Sequence, residues 1–89
     1  MTNTNTNNNG TGIYSAEKNA NYYLGNFDVV FHDDQNSNAK GFNASYEYCF
    51  DYIKRYNGTN ESYFADYKGG TVVIRDLENG EDVYFEDIK

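Results

Sequence analysis

The stretch that decides the fold is residues 71–88, TVVIRDLENGEDVYFEDI. Its centre, Asn79-Gly80, favours a type I′ hairpin turn, because both central residues of that turn need positive φ angles. A two-residue loop pairs Ile74 with Phe85 and fixes which side chains share a face of the hairpin. The apolar residues on the predicted core face are Val72, Ile74, Val83 and Phe85.

Residues 43–56 carry apolar side chains at helical spacing. Asn43 is a favourable N-cap residue, and Gly58 can adopt the left-handed conformation that ends a helix. The spacing predicts one apolar stripe along a helix that packs on the sheet. The residues of this stripe are Tyr46, Cys49, Phe50, Ile53 and Tyr56.

The side chains of residues 27–33 alternate between two faces, which predicts a strand. Residues 13–24 fit either a short helix beginning at Ser15 or a strand through 22–24. Strand, helix and hairpin together predict an α+β two-layer domain. We expect a three-stranded mixed or antiparallel sheet with one main helix on one face. A right-handed crossover would make the first strand parallel to the second. The predicted core is Phe27, Val29, Phe31, Tyr46, Cys49, Phe50, Ile53, Val72, Ile74, Val83 and Phe85.

Composition separates a tail from a domain and restricts the partners. Residues 1–12 contain only Thr, Asn and Gly after Met1, so we expect a disordered tail followed by one domain over residues 13–89. With 14 acidic and 7 basic residues, the net charge is −7, which disfavours nucleic acid and anionic membranes as direct partners. The single Cys49 excludes an intramolecular disulfide. No signal or membrane-spanning pattern is present, so we expect a cytoplasmic protein.

The sequence contains no complete catalytic or metal-binding pattern. Cys49 lies in the apolar stripe and His32 points to the other face of its strand, so the two do not form a nucleophile–base pair. Residues 34–38 resemble the start of an EF-hand loop, but Ala39 and Ser45 replace the required Gly and Glu. We therefore predict no enzyme activity, no metal and no cofactor.

The chain has ten tyrosines, and Tyr residues are enriched at binding hot spots. In size, acidity and lack of motifs it resembles small anti-restriction and anti-CRISPR proteins of phages and mobile elements. This resemblance of composition implies a DNA-mimic inhibitor that occludes the basic surface of a nucleic-acid-binding effector or nuclease. The candidate partner-binding residues are Glu47, Tyr48, Asp51, Tyr52, Asp76, Glu78, Glu81, Asp82, Tyr84, Glu86 and Asp87.

A second interpretation stays open: a non-catalytic interaction module or homodimeric subunit. Its interface would be an apolar seam on the sheet face away from the helix. The residues of the predicted seam are Val30, Val73, Leu77, Tyr84 and Ile88.

Overall fold

The structure, a computed structural model, describes residues 20–89. It confirms a small α+β domain, whose sheet has four antiparallel strands instead of the predicted three. The predicted tail lies outside the described residues, as do residues 13–19. The elements are α1 Ala20–Tyr23, β1 Phe27–His32, β2 Ser37–Ala39, α2 Tyr46–Tyr56, α3 Tyr63–Asp66, β3 Thr71–Asp76 and β4 Glu81–Asp87. The strands lie in the order β2-β1-β3-β4.

The additional strand, β2, follows a tight turn at residues 33–36. The Asp33 carboxylate accepts hydrogen bonds from the backbone N–H groups of Gln35 at 2.8 Å and Asn36 at 2.7 Å. These bonds lower the pKa of Asp33 and return the chain along β1, where Val30 pairs with Ala39. The segment that resembles an EF-hand loop is therefore part of a β-hairpin.

β2 also explains why β1 and β3 are antiparallel, contrary to the predicted parallel crossover. It brings the chain back to the beginning of β1, where Phe27 and Ala44 exchange backbone hydrogen bonds of 2.8 and 2.9 Å. Helix α2 starts at this end of the sheet, with the Tyr46 ring 5.9 Å from that of Phe27. It then runs to the opposite end, where β3 begins, so β3 returns antiparallel to β1.

The buried Asp28 holds this connection in place. It is 7% exposed, and its Oδ1 accepts hydrogen bonds from the backbone N–H groups of Val29, Gly41 and Phe42 at 2.7–2.9 Å. The helix then begins at Tyr46, because Ser45 caps it by accepting from the Tyr48 N–H at 3.0 Å. The predicted N-cap, Asn43, instead has a positive φ of 50°.

The predicted register of the C-terminal hairpin is wrong. Its loop comprises residues 77–80, Asp76 pairs with Glu81, and a bulge follows, so that Ile74 pairs with Tyr84. The loop is stabilised by Asp76, whose carbonyl accepts from the Gly80 N–H at 2.7 Å and whose carboxylate accepts from the Glu78 N–H at 2.9 Å. The shift turns Tyr84 towards α2 and exposes the predicted core residues Val83 and Phe85.

The core lies between the sheet and helices α2 and α3. Six predicted core residues are buried there: Val29, Phe31, Cys49, Ile53, Val72 and Ile74. Phe27 and Phe50 are half-buried against this core, whereas Tyr46 is 38% exposed. Phe64 of α3 also belongs to this core. It is fully buried, and its ring lies 4.8 Å from that of Phe31. The other core residues that the pattern missed are Ala44, Tyr67 and Ile88.

Candidate functional site

The candidate partner-binding residues lie on two flanks of α2, so they do not form one surface. Tyr48 is on one flank, with its ring centre 5.2 Å from that of Phe42 and 5.5 Å from that of Tyr22. Tyr84 is on the other, with its ring 5.2 Å from that of Phe50.

On the α1 side of α2, aromatic rings surround a cavity of about 330 Å³. The Tyr52 ring lies 4.6 Å from the Phe42 ring, and the Lys40 Nζ lies about 6 Å from both ring centres. Tyr48 and Tyr52 are half-buried walls of this cavity instead of exposed contacts. The lining residues are Tyr22, Tyr23, Lys40, Phe42, Tyr48, Tyr52, Arg55, Tyr56 and Glu61.

The acidic residues on α2 have roles within the fold or contacts of their own. Asp51 accepts a hydrogen bond of 2.9 Å from the Tyr22 hydroxyl, which ties α1 to α2. Glu47 is exposed in the first turn of α2, where a carboxylate favours the positive end of the helix dipole. Both residues make further interactions within the protein.

The Tyr52 hydroxyl is enclosed and finds no hydrogen-bond partner within bonding geometry among residues 20–89. Burial, together with the nearby Glu61 carboxylate, raises the pKa of Tyr52 to about 12, and the Ser62 side chain opposes this shift. Tyr52 therefore stays a neutral phenol throughout the physiological pH range.

Glu86 and Tyr84 belong to a hydrogen-bond cluster that joins β4 to α2. The Glu86 carboxylate accepts from Lys54 Nζ at 2.8 Å, from Asn57 Nδ2 at 2.7 Å and from the Tyr84 hydroxyl. Burial acts to raise the pKa of Glu86, but these donors outweigh it, and the pKa lies below the usual value. The same carboxylate raises the pKa of Lys54. Glu86 therefore stabilises the fold, and its charge is neutralised internally.

A second ion pair neutralises Asp82. Its carboxylate lies 2.8 Å from Nε of Arg75, on the neighbouring strand, and this contact raises the pKa of Arg75. Of the six hairpin carboxylates, Asp82 and Glu86 are thus paired with a cation. The four others form no ion pair with any of the described residues: Asp76, Glu78, Glu81 and Asp87.

Three exposed apolar side chains lie on the same hairpin as these carboxylates. Phe85 is 71% exposed, Val83 45% and Leu77 42%. Phe85 and Val83 could not be recognised as surface residues from the sequence, because the predicted register placed them in the core. We call this set of acidic and apolar residues the hairpin surface. Its members are Asp76, Leu77, Glu78, Glu81, Val83, Phe85 and Asp87.

Cys49 and His32, the two residues that could act in catalysis, are not close to each other in the structure. Cys49 is fully buried on α2, and burial raises the pKa of its thiol to about 12, with the Asp28 charge adding to the shift. His32 lies on the sheet face away from α2, with its Nδ1 2.7 Å from the Ser37 hydroxyl. Within residues 20–89, no group of three or more His, Cys, Asp or Glu side chains could hold a metal ion.

Comparisons with known proteins identify no relative of this chain. No protein family matches the sequence, and neither a curated protein nor a solved structure is significantly similar to it. In the described part of the chain, every helix is too short or too polar to span a membrane.

Proposed function

We propose that the protein is a non-catalytic inhibitor that binds a basic protein surface and occludes it, as a DNA mimic of the anti-CRISPR or anti-restriction type does. The observation that supports this proposal most is the hairpin surface. Its four carboxylates are not neutralised by described cations, and the same hairpin carries an aromatic side chain that is 71% exposed. The favoured target is a Lys- and Arg-lined groove of a nucleic-acid-binding effector or nuclease.

The carboxylates and the exposed Phe85 act on different steps of this binding. Unpaired carboxylates attract a basic partner over several ångströms and accelerate association, and salt screens this attraction over a Debye length of about 8 Å at physiological ionic strength. Burial of Phe85 against the partner slows dissociation, because an aromatic side chain contributes about 1.5–3 kcal/mol when it is fully buried. The proposal therefore predicts salt-sensitive association and a loss of affinity on removal of Phe85.

The experiment that tests this function is affinity capture from a host lysate with three versions of the protein. The first is wild type. The second carries Glu78→Lys and Glu81→Lys, which reverse two exposed charges whose carboxylates make no hydrogen bond or ion pair with residues 20–89. The third carries Asp34→Lys and Asp66→Lys, which change the net charge equally but lie away from the hairpin loop.

We expect wild type and the Asp34/Asp66 variant to capture the same basic nucleic-acid-binding protein, and the Glu78/Glu81 variant to lose it. Equal loss in both variants would mean that net charge alone attracts the partner. Retention by both variants would refute a role for the hairpin carboxylates.

Self-association is the alternative, but most of its predicted seam is not exposed. Val30, Val73 and Ile88 are each at most 5% exposed, and Tyr84 packs against Phe50. Of the seam only Leu77 is exposed, at 42%, so a dimer would also have to use other exposed residues such as Phe85. Sedimentation at high micromolar concentration tests this alternative, and a monomer at that concentration would exclude it.

A further inference from the structure

The outer edge of β4 offers unpaired backbone groups. β4 is the last strand of the sheet, beside β3 alone. The Ile88 N–H donates to the Gly70 carbonyl at 2.9 Å, so the backbone groups of Ile88 point towards the β3 side. Because these groups alternate along a strand, those of Glu86 also point inward, and those of Phe85 and Asp87 point outward.

Asn57, at the end of α2, covers one part of this edge. Its Nδ2 donates to the Asp87 carbonyl at 2.8 Å, and its Oδ1 accepts from the Lys89 N–H at 2.9 Å. Both bonds confirm that Asp87 and Lys89 direct their backbone groups away from β3. Towards the end of β4, the open backbone groups within residues 20–89 are therefore the N–H and carbonyl of Phe85 and the N–H of Asp87.

The charge of β4 decides what can cover this edge. β4 has four acidic residues among its seven and no basic residue. A second copy of the chain would bring two such strands together, and like charges on paired strands are destabilising. Acidic side chains on an edge strand keep identical strands apart, and they attract a strand of opposite charge.

We infer that an extended, basic segment of the partner protein adds to the sheet as a fifth strand beside β4. Its central residue pairs with Phe85 and is apolar, because Phe85 is exposed on that face. A Lys or Arg two positions away lies on the same face, opposite Asp87, since strand side chains alternate. This inference rests on the proposed function and specifies how the partner binds.

The probe that tests the inference is a blocked synthetic heptapeptide, Thr-Lys-Thr-Val-Thr-Lys-Thr, titrated into ¹⁵N-labelled protein. Amide chemical shifts report binding, and hydrogen exchange of the Phe85 and Asp87 amides reports pairing. The matched control peptide carries an N-methyl group on its valine, which removes the donor that faces Phe85 and leaves the charge unchanged.

Two variants of one residue separate backbone pairing from charge. Asp87→Asn removes the charge and keeps the N–H. Asp87→Pro also removes the N–H, and because that group points outward, no bond to β3 is lost. Amide dispersion and urea unfolding check that the proline variant is folded, and the N-methyl peptide tests the same bond on wild-type protein.

We expect the heptapeptide to slow exchange of the Phe85 and Asp87 amides. We expect Asp87→Asn to weaken binding by about threefold, and both Asp87→Pro and the N-methyl group by about tenfold. Equal binding by the two variants, with no effect of the N-methyl group, would overturn strand addition and leave charge-dependent binding of a basic protein intact. No binding at millimolar peptide would also overturn strand addition. The Glu78/Glu81 capture experiment tests the proposed function independently of both outcomes.

Discussion

Replacement of Glu86 by Gln tests the claim that this residue stabilises the fold and is not free to contact a partner. Glu86 Oε2 accepts from Lys54 and the Tyr84 hydroxyl, and Oε1 accepts from Asn57. Gln has the same shape but only one acceptor oxygen. Whichever way its amide is oriented, at least one of the three donors loses its acceptor, and Lys54 loses its counter-ion.

The size of the effect follows from the exposure of each partner. The Lys54 side chain is 52% exposed, so the loss of its ion pair contributes at most about 1 kcal/mol. The Glu86 side chain is 19% exposed, so its other bonds are less screened, and loss of one of them costs about 1 kcal/mol. We expect Glu86→Gln to lower the free energy of unfolding by about 1–2 kcal/mol, a large share of the roughly 3–5 kcal/mol of a domain this small.

Urea unfolding at pH 7, followed by circular dichroism, measures this change. Glu78→Gln is the matched control, since Glu78 is exposed and its carboxylate makes no hydrogen bond or ion pair with the described residues, and it should change the unfolding free energy by less than about 0.5 kcal/mol. Equal effects of the two substitutions would refute the structural role of Glu86.

The effect of Glu86→Gln on stability should depend on pH. The pKa of Glu86 in the folded protein lies below its ordinary value of 4.5. A lowered pKa means that the stabilisation is fully present above pH 4.5 and is lost as the pH falls through the folded pKa. The stability difference between wild type and Glu86→Gln should therefore be constant at neutral pH and become smaller in acid. A difference that grows in acid would contradict the assignment.

Three further predictions concern the core. Phe64→Ala should cost about 3–5 kcal/mol by opening a cavity beside Phe31, and circular dichroism should show a largely unfolded chain. Gly70→Ala should lower the unfolding free energy by more than about 2 kcal/mol, because its Cβ would lie 2.1 Å from the His32 carbonyl oxygen; a midpoint in urea equal to that of wild type would disprove this close approach. Cys49 should react with a thiol reagent at pH 8 only after unfolding, since it is fully buried and its pKa is raised to about 12; rapid labelling of the native protein would contradict this burial.

The elements with strong periodic patterns could be predicted from the sequence. The stripe of α2 and the alternation of β1 follow from the burial of one face, which is why Ile53 and Val29 were correctly assigned to the core. Phe64 was not placed in the predicted core because α3 has only four residues and therefore no period that would show which face is buried. β2 was not predicted because its three residues are all exposed. The feature that indicates it is Asp33, whose carboxylate accepts a backbone hydrogen bond in the turn before the strand.

The hairpin register shows how local and tertiary preferences compete. Asn79-Gly80 favours a two-residue loop, but the longer loop allows Tyr84 and Glu86 to bond with α2. The bulge after Ile74 accommodates the difference. This exchange exposes Phe85, so the most exposed apolar residue of the hairpin surface could not be recognised from the alternating pattern.

The most direct test of the central claim is the affinity of the captured partner for wild type and for the Glu78→Lys/Glu81→Lys variant, measured by titration calorimetry at low and moderate salt. We expect wild type to bind more weakly by at least about tenfold when salt rises from about 50 to 300 mM, and the variant to bind weakly at both concentrations. Equal affinity for both proteins at both salt concentrations would contradict binding through the carboxylates of the hairpin surface.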